Sequence, residues 1–192
     1  MTCIVWVVAN RKVFIWWDTQ GTDNDYSKDI RKDVKVFKNG DFVIWFSGSY
    51  RVGQILRYCL DFTMEPTESG KIEKDFMWYM CCDFVTHIRD SLEKNFYSDT
   101  KKDKKVWEMS ILIWYKDKLV QICEDFQVSE CVNPFDSVWC WKEFAKWILF
   151  EKMMNWKLTW WDDSIWLQVK QTIEYVSKLS AWVWWNITLL TT

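Results

Sequence analysis

Apolar positions follow a period of two in some stretches of the chain and of three to four in others, and the order of those stretches predicts the architecture. Cys3 to Ala9 and Lys12 to Trp17 are apolar, β-branched and aromatic runs separated by Asn10-Arg11, which predicts two strands joined as a hairpin. Gly21 to Asp33 is polar, and Thr22, Asp23, Asn24 and Asp25 predict a turn-rich loop. A second hairpin is expected from Lys35 to Ser47, turning at Asn39-Gly40. The spacing of Val52, Ile55, Leu56, Cys59 and Leu60 then predicts an amphipathic helix over Ser49 to Phe62. Phe76, Tyr79, Met80, Asp83, Phe84, Ile88 and Leu92 form one stripe of a longer helix from Lys71 to Asn95.

Strand-like runs return at Val106 to Tyr115 and Leu119 to Cys123, joined at Lys116-Asp117-Lys118, with a short further strand at Phe126 to Val128. Asn133-Pro134 breaks the pattern. Lys142 to Met154 and Asp162 to Leu179 predict two helices, and Val183 to Leu190 a last strand. Strands and helices are segregated rather than alternating, so a doubly wound sheet is excluded and an α+β fold is expected. Two packed sheets flanked by helix layers, a four-layer αββα sandwich, is one of several arrangements that this order allows.

Length and composition fit one globular domain over 1-192, with 49% hydrophobic and 27% charged residues. A net charge of -2, with both signs spread along the chain, offers no basic footprint for nucleic acid. No apolar run approaches the roughly 18 residues of a membrane span, so no membrane partner is expected. Seven Cys at irregular spacings and no secretory signal predict reduced thiols and a cytoplasmic location. With His87 the only His and Cys81-Cys82 adjacent rather than spaced as C-x-x-C, neither a metal nor a cofactor is expected. Two counts are unusual: 17 Trp, and 5 Gly where ordinary usage of about 7% would give roughly 13.

Candidate chemistry begins at Thr2, directly after the initiator Met. Removal of Met1 would leave an α-amine beside a hydroxyl, and that amine, with a reference pKa of about 8, can take the hydroxyl proton while the oxygen attacks a carbonyl. Thr2-Cys3-Ile4-Val5, Val13 to Asp18, Lys35-Val36-Phe37-Lys38-Asn39 and Phe46-Ser47-Gly48-Ser49 follow in a succession that resembles a proteasome β subunit, most closely the small bacterial and phage proteasome-like threonine peptidases. The resemblance places the nucleophile at Thr2, an Asp ending the second strand at Asp18, a Lys opening the third at Lys35, and a Gly ending the fourth at Gly48. It spans nearly the whole chain, since Asp136 to Trp141 falls where the family has a Gly-Ser-Gly turn before its third helix.

The resemblance implies the N-terminal nucleophile hydrolase fold and a division of labour within the site. Lys35 would lower the pKa of the Thr2 hydroxyl, Asp18 would hold Lys35 charged, and Gly48 would offer its N–H to an oxyanion, an interaction worth about 3 kcal/mol in such sites. Cys140 stands at the position of a family Ser, and Ser180 at that of a Ser after the fourth helix. Taken singly, Asp18 also reads as a turn residue, Lys35 as a solvated strand start and Gly48 as a turn. The implied activity is endopeptidase cleavage of unfolded polypeptide inside a homo-oligomeric ring served by an ATPase unfoldase. Trp6, Trp16, Trp45, Trp139, Trp141, Trp147 and Trp182 stand where the family usually has Gly, and Trp17 where it has a small residue. Two further readings follow from that set: a catalytically inactive or redesigned structural subunit on the same scaffold, and an aromatic-rich binding module presenting Trp160-Trp161 and Trp184-Trp185.

Overall fold

A computed structural model describes residues 3–17, 20–22, 28–30, 33–60, 75–95, 109–139, 142–155, 162–179 and 188–190. They form two compact units, one from residues 1–35 with 131–192 and the other from residues 36–130.

The first unit is built on β1 (Cys3–Ala9) and β2 (Lys12–Trp17), paired antiparallel as the sequence predicts. Asn10 and Arg11 turn the hairpin with φ of 53° and 60°, the pair of left-handed residues that a two-residue turn of type I′ requires. The expected polar loop carries a small hairpin of its own, β3 (Gln20–Thr22) with β4 (Lys28–Ile30). Turn residues marked the bend there, but strands this short leave no periodic signal.

The second unit holds a five-stranded antiparallel sheet: β5 (Val36–Asn39), β6 (Phe42–Gly48), β7 (Met109–Tyr115), β8 (Lys118–Ile122) and β9 (Val128–Glu130), hydrogen-bonded in that order. The β5–β6 turn is Gly40-Asp41, one residue later than expected, because Asn39 pairs with Phe42 and only Gly40 takes a left-handed φ, 57°. The Asn39 side chain instead donates to the carbonyls of Leu56 and Leu60, at 3.5 and 2.9 Å, which satisfies the end of the following helix. β9 lies two residues beyond its expected place, after Phe126 turns the chain with φ 65°.

Three helical segments cover this sheet. α1 (Tyr50–Tyr58) starts at Ser49, whose hydroxyl accepts the Arg51 N–H at 3.2 Å. α2 (Phe76–Tyr79) begins at Asp75, which accepts the Trp78 N–H, and passes through a π-helical turn (Met80–Phe84) into α3 (Val85–Lys94). The expected long helix is thus present over its described part, and its stripe of Phe76, Tyr79, Met80, Phe84, Ile88 and Leu92 is buried against Phe42, Ile44, Ile111 and Ile113.

Back in the first unit, β10 (Phe135–Trp139) pairs with the outer edge of β1, and β11 (Thr188–Leu190) with β2, giving the order β10-β1-β2-β11. Asp136 to Trp139, expected at a turn, are therefore strand. The described part of the last expected strand is three residues long. α4 (Lys142–Asn155) and α5 (Asp162–Leu179) fall at their expected places. Ala145 and Leu149 of α4, with Ile165, Val169, Ile173 and Val176 of α5, pack on Val5, Val7, Phe14 and Trp16. No described helix is long and apolar enough to cross a membrane.

Candidate active site

Strand register gathers what the sequence scatters. Ile4 of β1 lies opposite Trp17 of β2, and Cys3 lies opposite Trp139 of β10. The strand ends that adjoin Thr2, Asp18 and Cys140 in the chain therefore share one end of the four-stranded sheet. Thr2, Asp18, Cys140 and Ser180 themselves lie outside the described residues.

Lys35 immediately precedes β5 and is 2% exposed, the only charged side chain buried among the described residues. Burying an ammonium is expensive unless it is paired and hydrogen-bonded. A surface lysine opening a strand would instead extend its stem and leave its head in water. Burial at this position does not fit the alternative reading of Lys35 as a solvated strand start.

Gly48 ends β6 opposite Met109 with φ 98°, a region that side-chain-bearing residues rarely adopt. It is exposed, and the neighbouring Ser47 is buried, with its hydroxyl donating to the Ser110 carbonyl at 3.3 Å. Lys35 belongs to the first unit and Gly48 to the second.

At the other end of the candidate set, the buried Ser137 hydroxyl donates to the Lys142 carbonyl at 2.6 Å, tying β10 to the start of α4 across the segment that contains Cys140. Asp136 is ion-paired to Lys146 at 2.6 Å. The sequence motifs pointed to neither contact, since both depend on Asp136 to Trp139 being strand. Among the described residues no group of three His, Cys, Asp or Glu is arranged to hold a metal ion.

No protein-family model matches the chain, and no curated protein is significantly similar in sequence. Solved structures are similar in fold. BPH of Thiobacillus denitrificans superposes with a TM-score of 0.73 at 14% identity, over 99% of this chain and 97% of that one, and has also been solved in complex with epoxomicin. HslV of Trypanosoma brucei gives 0.64 at 14% identity, with 98% of each chain covered. Anbu, an ancestral β subunit, in the helical assembly solved from Pseudomonas aeruginosa gives 0.67 at 12% identity, over 100% of this chain and 81% of that one. All have proteasome-type N-terminal nucleophile hydrolase folds, and this chain has that fold. Its class is α+β, as the order of elements predicts, and the sandwich of these neighbours is the αββα type that was one of several arrangements that order allowed.

Proposed function

We propose that the chain is a threonine-type endopeptidase of the proteasome β kind, acting on unfolded polypeptide. The observation that carries this reading is the convergence of the strand ends next to Thr2, Asp18 and Cys140 at one end of the first sheet. The burial of Lys35 supports it, because a buried ammonium needs a purpose-built set of partners.

In the proposed mechanism Met1 is removed and the Thr2 α-amine takes the proton of the Thr2 hydroxyl as its oxygen attacks the scissile carbonyl. Lys35 stabilises the developing alkoxide, Asp18 keeps Lys35 charged, and the Gly48 N–H supports the oxyanion. Collapse of the tetrahedral intermediate breaks the C–N bond, passes the proton to the leaving amine and leaves an ester on Thr2. Water then hydrolyses the ester. Cys140 and Ser180 would hold the amine by hydrogen bonds, the thiol more weakly than a hydroxyl. Assembly into a homo-oligomer is proposed by analogy with the helical Anbu assembly, with an ATPase unfoldase supplying substrate.

A second reading, an inactive subunit on the same scaffold, is favoured by Trp17. This large side chain next to Asp18 is 2% exposed, and its indole N–H has no hydrogen-bond partner among the described residues.

Hydrolysis of a denatured, fluorescently labelled protein by the wild type and by Thr2→Ala separates the two readings. The peptidase reading predicts a loss of more than about a hundredfold in Thr2→Ala, since removing a nucleophile collapses the mechanism. Equal rates in the two proteins would contradict it. No hydrolysis by the wild type would favour the inactive subunit.

A further inference from the structure

A concave feature lies wholly within the first unit, between β10 and α4. The cavity, of about 300 Å³, is at the lower end of the range for small-molecule sites, with room for one long side chain. One wall is α4, where Glu143, Trp147 and Phe150 follow at i, i+4 and i+7 and so share a face. The other wall is Phe135 with Asn133 and Asp136.

The aromatic wall is unusual in its exposure. Trp147 is 69% exposed and Phe150 48%, while their rings meet edge to face with centroids 6.2 Å apart. Two aromatic rings held in water at a cavity mouth form a surface prepared for an apolar stem or a flat cation.

Charge decides between these occupants. Lys146 donates to Asp136 Oδ1, which also accepts the Ser137 N–H at 2.7 Å, so the one lysine of the lining is neutralised. The carboxylate of Glu143 forms no hydrogen bond or ion pair among the described residues, and both contacts of Asp136 are made at Oδ1. Two carboxylates against one lysine leave the lining with a formal charge of -1, and its unused polar atoms are mainly acceptors. An anionic ligand would meet repulsion here and a neutral one would leave the carboxylates unanswered.

We propose that this cavity binds the guanidinium side chain of an arginine presented by a polypeptide. Its flat cation stacks on Trp147, its N–H groups donate to Glu143 and to Asp136 Oδ2, and its methylene stem covers Phe135 and Phe150. None of the lining residues is among those assigned to peptide hydrolysis, and the proposed binding does not depend on Thr2.

The test is a ligand-observed NMR titration of the full chain with N-acetyl-arginine amide and with its citrulline counterpart, a neutral isostere. Saturable binding of the arginine compound alone is expected. Trp147→Ala and Glu143→Gln should each weaken it about two- to fivefold, the usual range for an exposed cation–π contact or ion pair. Raised salt should reduce binding in the wild type more than in Glu143→Gln. Tyr175→Ala, which removes an equally exposed aromatic of α5 outside the cavity, should leave binding unchanged. Equal binding of the citrulline compound, a non-saturating response to the arginine compound, or unaltered affinity in both cavity variants would overturn the proposal. All three substituted side chains are exposed, so retained circular dichroism is expected.

Discussion

Each of the two larger sheets has side chains buried on both faces, and the two faces are built from different residues. The faces toward the helices carry Val5, Val7, Phe14 and Trp16 in one unit and Phe42, Ile44, Phe46, Ile111 and Ile113 in the other, interleaved with helical side chains. The alternate residues of the same strands, which point to the opposite faces, include Trp6 and Trp17 in one sheet and Trp45 and Trp114 in the other. Apart from Trp16, the helix-facing cores therefore rest on close fit between aliphatic and phenyl groups. The opposite faces rest on bulk, and at Trp17 and Trp114 they bury an indole N–H that has no hydrogen-bond partner among the described residues. Close fit should make the first kind of face intolerant of change, whereas an unsatisfied donor should make the second kind open to improvement.

The sharpest contrast is expected from Phe42→Ala. The Phe42 ring is stacked on Tyr115 at 4.7 Å and tilted against Phe84 at 5.4 Å, so truncation should remove about 3–5 kcal/mol in a urea titration. A loss below about 1 kcal/mol would mean that the helix-facing core is not tightly packed.

Gly53→Ala tests the same face from the helix side. Alanine is favoured over glycine in a helix by about 1 kcal/mol, yet a Cβ at Gly53 would lie 1.9 Å from Cζ of the Phe46 ring. Since Phe46 is itself buried, overpacking should win and the variant should lose about 1–3 kcal/mol. A stabilised variant would show that the ring has room to move.

On the opposite face, Trp17→Phe removes the unpartnered donor together with some volume. The two effects oppose each other, so the urea midpoint should move by the equivalent of less than about 1 kcal/mol. A loss as large as that of Phe42→Ala would erase the distinction between the faces.

The smallest expected effect concerns Lys152 of α4, which donates to Gln168 and Gln171 of α5 at 2.5 and 3.0 Å. Burial lowers its pKa below the usual lysine value, partly opposed by the charge of Glu151. Between the lowered folded value and the ordinary unfolded one, the unfolded chain binds more protons, so the contribution of Lys152 to stability rises with pH across that window and is constant below it. The stability difference between wild type and Lys152→Met should therefore shift in favour of the wild type as pH rises through the window. A shift in the other direction would contradict the assigned cause.

Long elements were legible because period and burial agree. β1, β2, α4 and α5 lie where apolar runs or stripes predicted them, and β1 and β2 read as unbroken apolar runs because both of their faces are buried. Short or edge elements were not. β3 and β4 have three residues each and no period to read, and β10 contains Asp136 and Ser137, whose side chains bond to Lys146 and to the Lys142 carbonyl. Of the candidate site, the order of motifs was visible in the chain, but the burial of Lys35 was not, because a charged residue opening a strand gives the same pattern buried or solvated. The convergence of the three strand ends depends on the register of β10 with β1, which no local signal encodes.

The central claim is that Thr2 becomes a free N-terminal nucleophile, and an intact-mass spectrum before and after incubation with epoxomicin tests it most directly. The epoxyketone group closes on both the hydroxyl and the α-amine of an N-terminal threonine. The account predicts a chain lacking Met1 that gains the mass of one inhibitor at Thr2, and no adduct on Thr2→Ala. A wild-type chain that keeps Met1, or that loses it and remains unmodified, would contradict the claim.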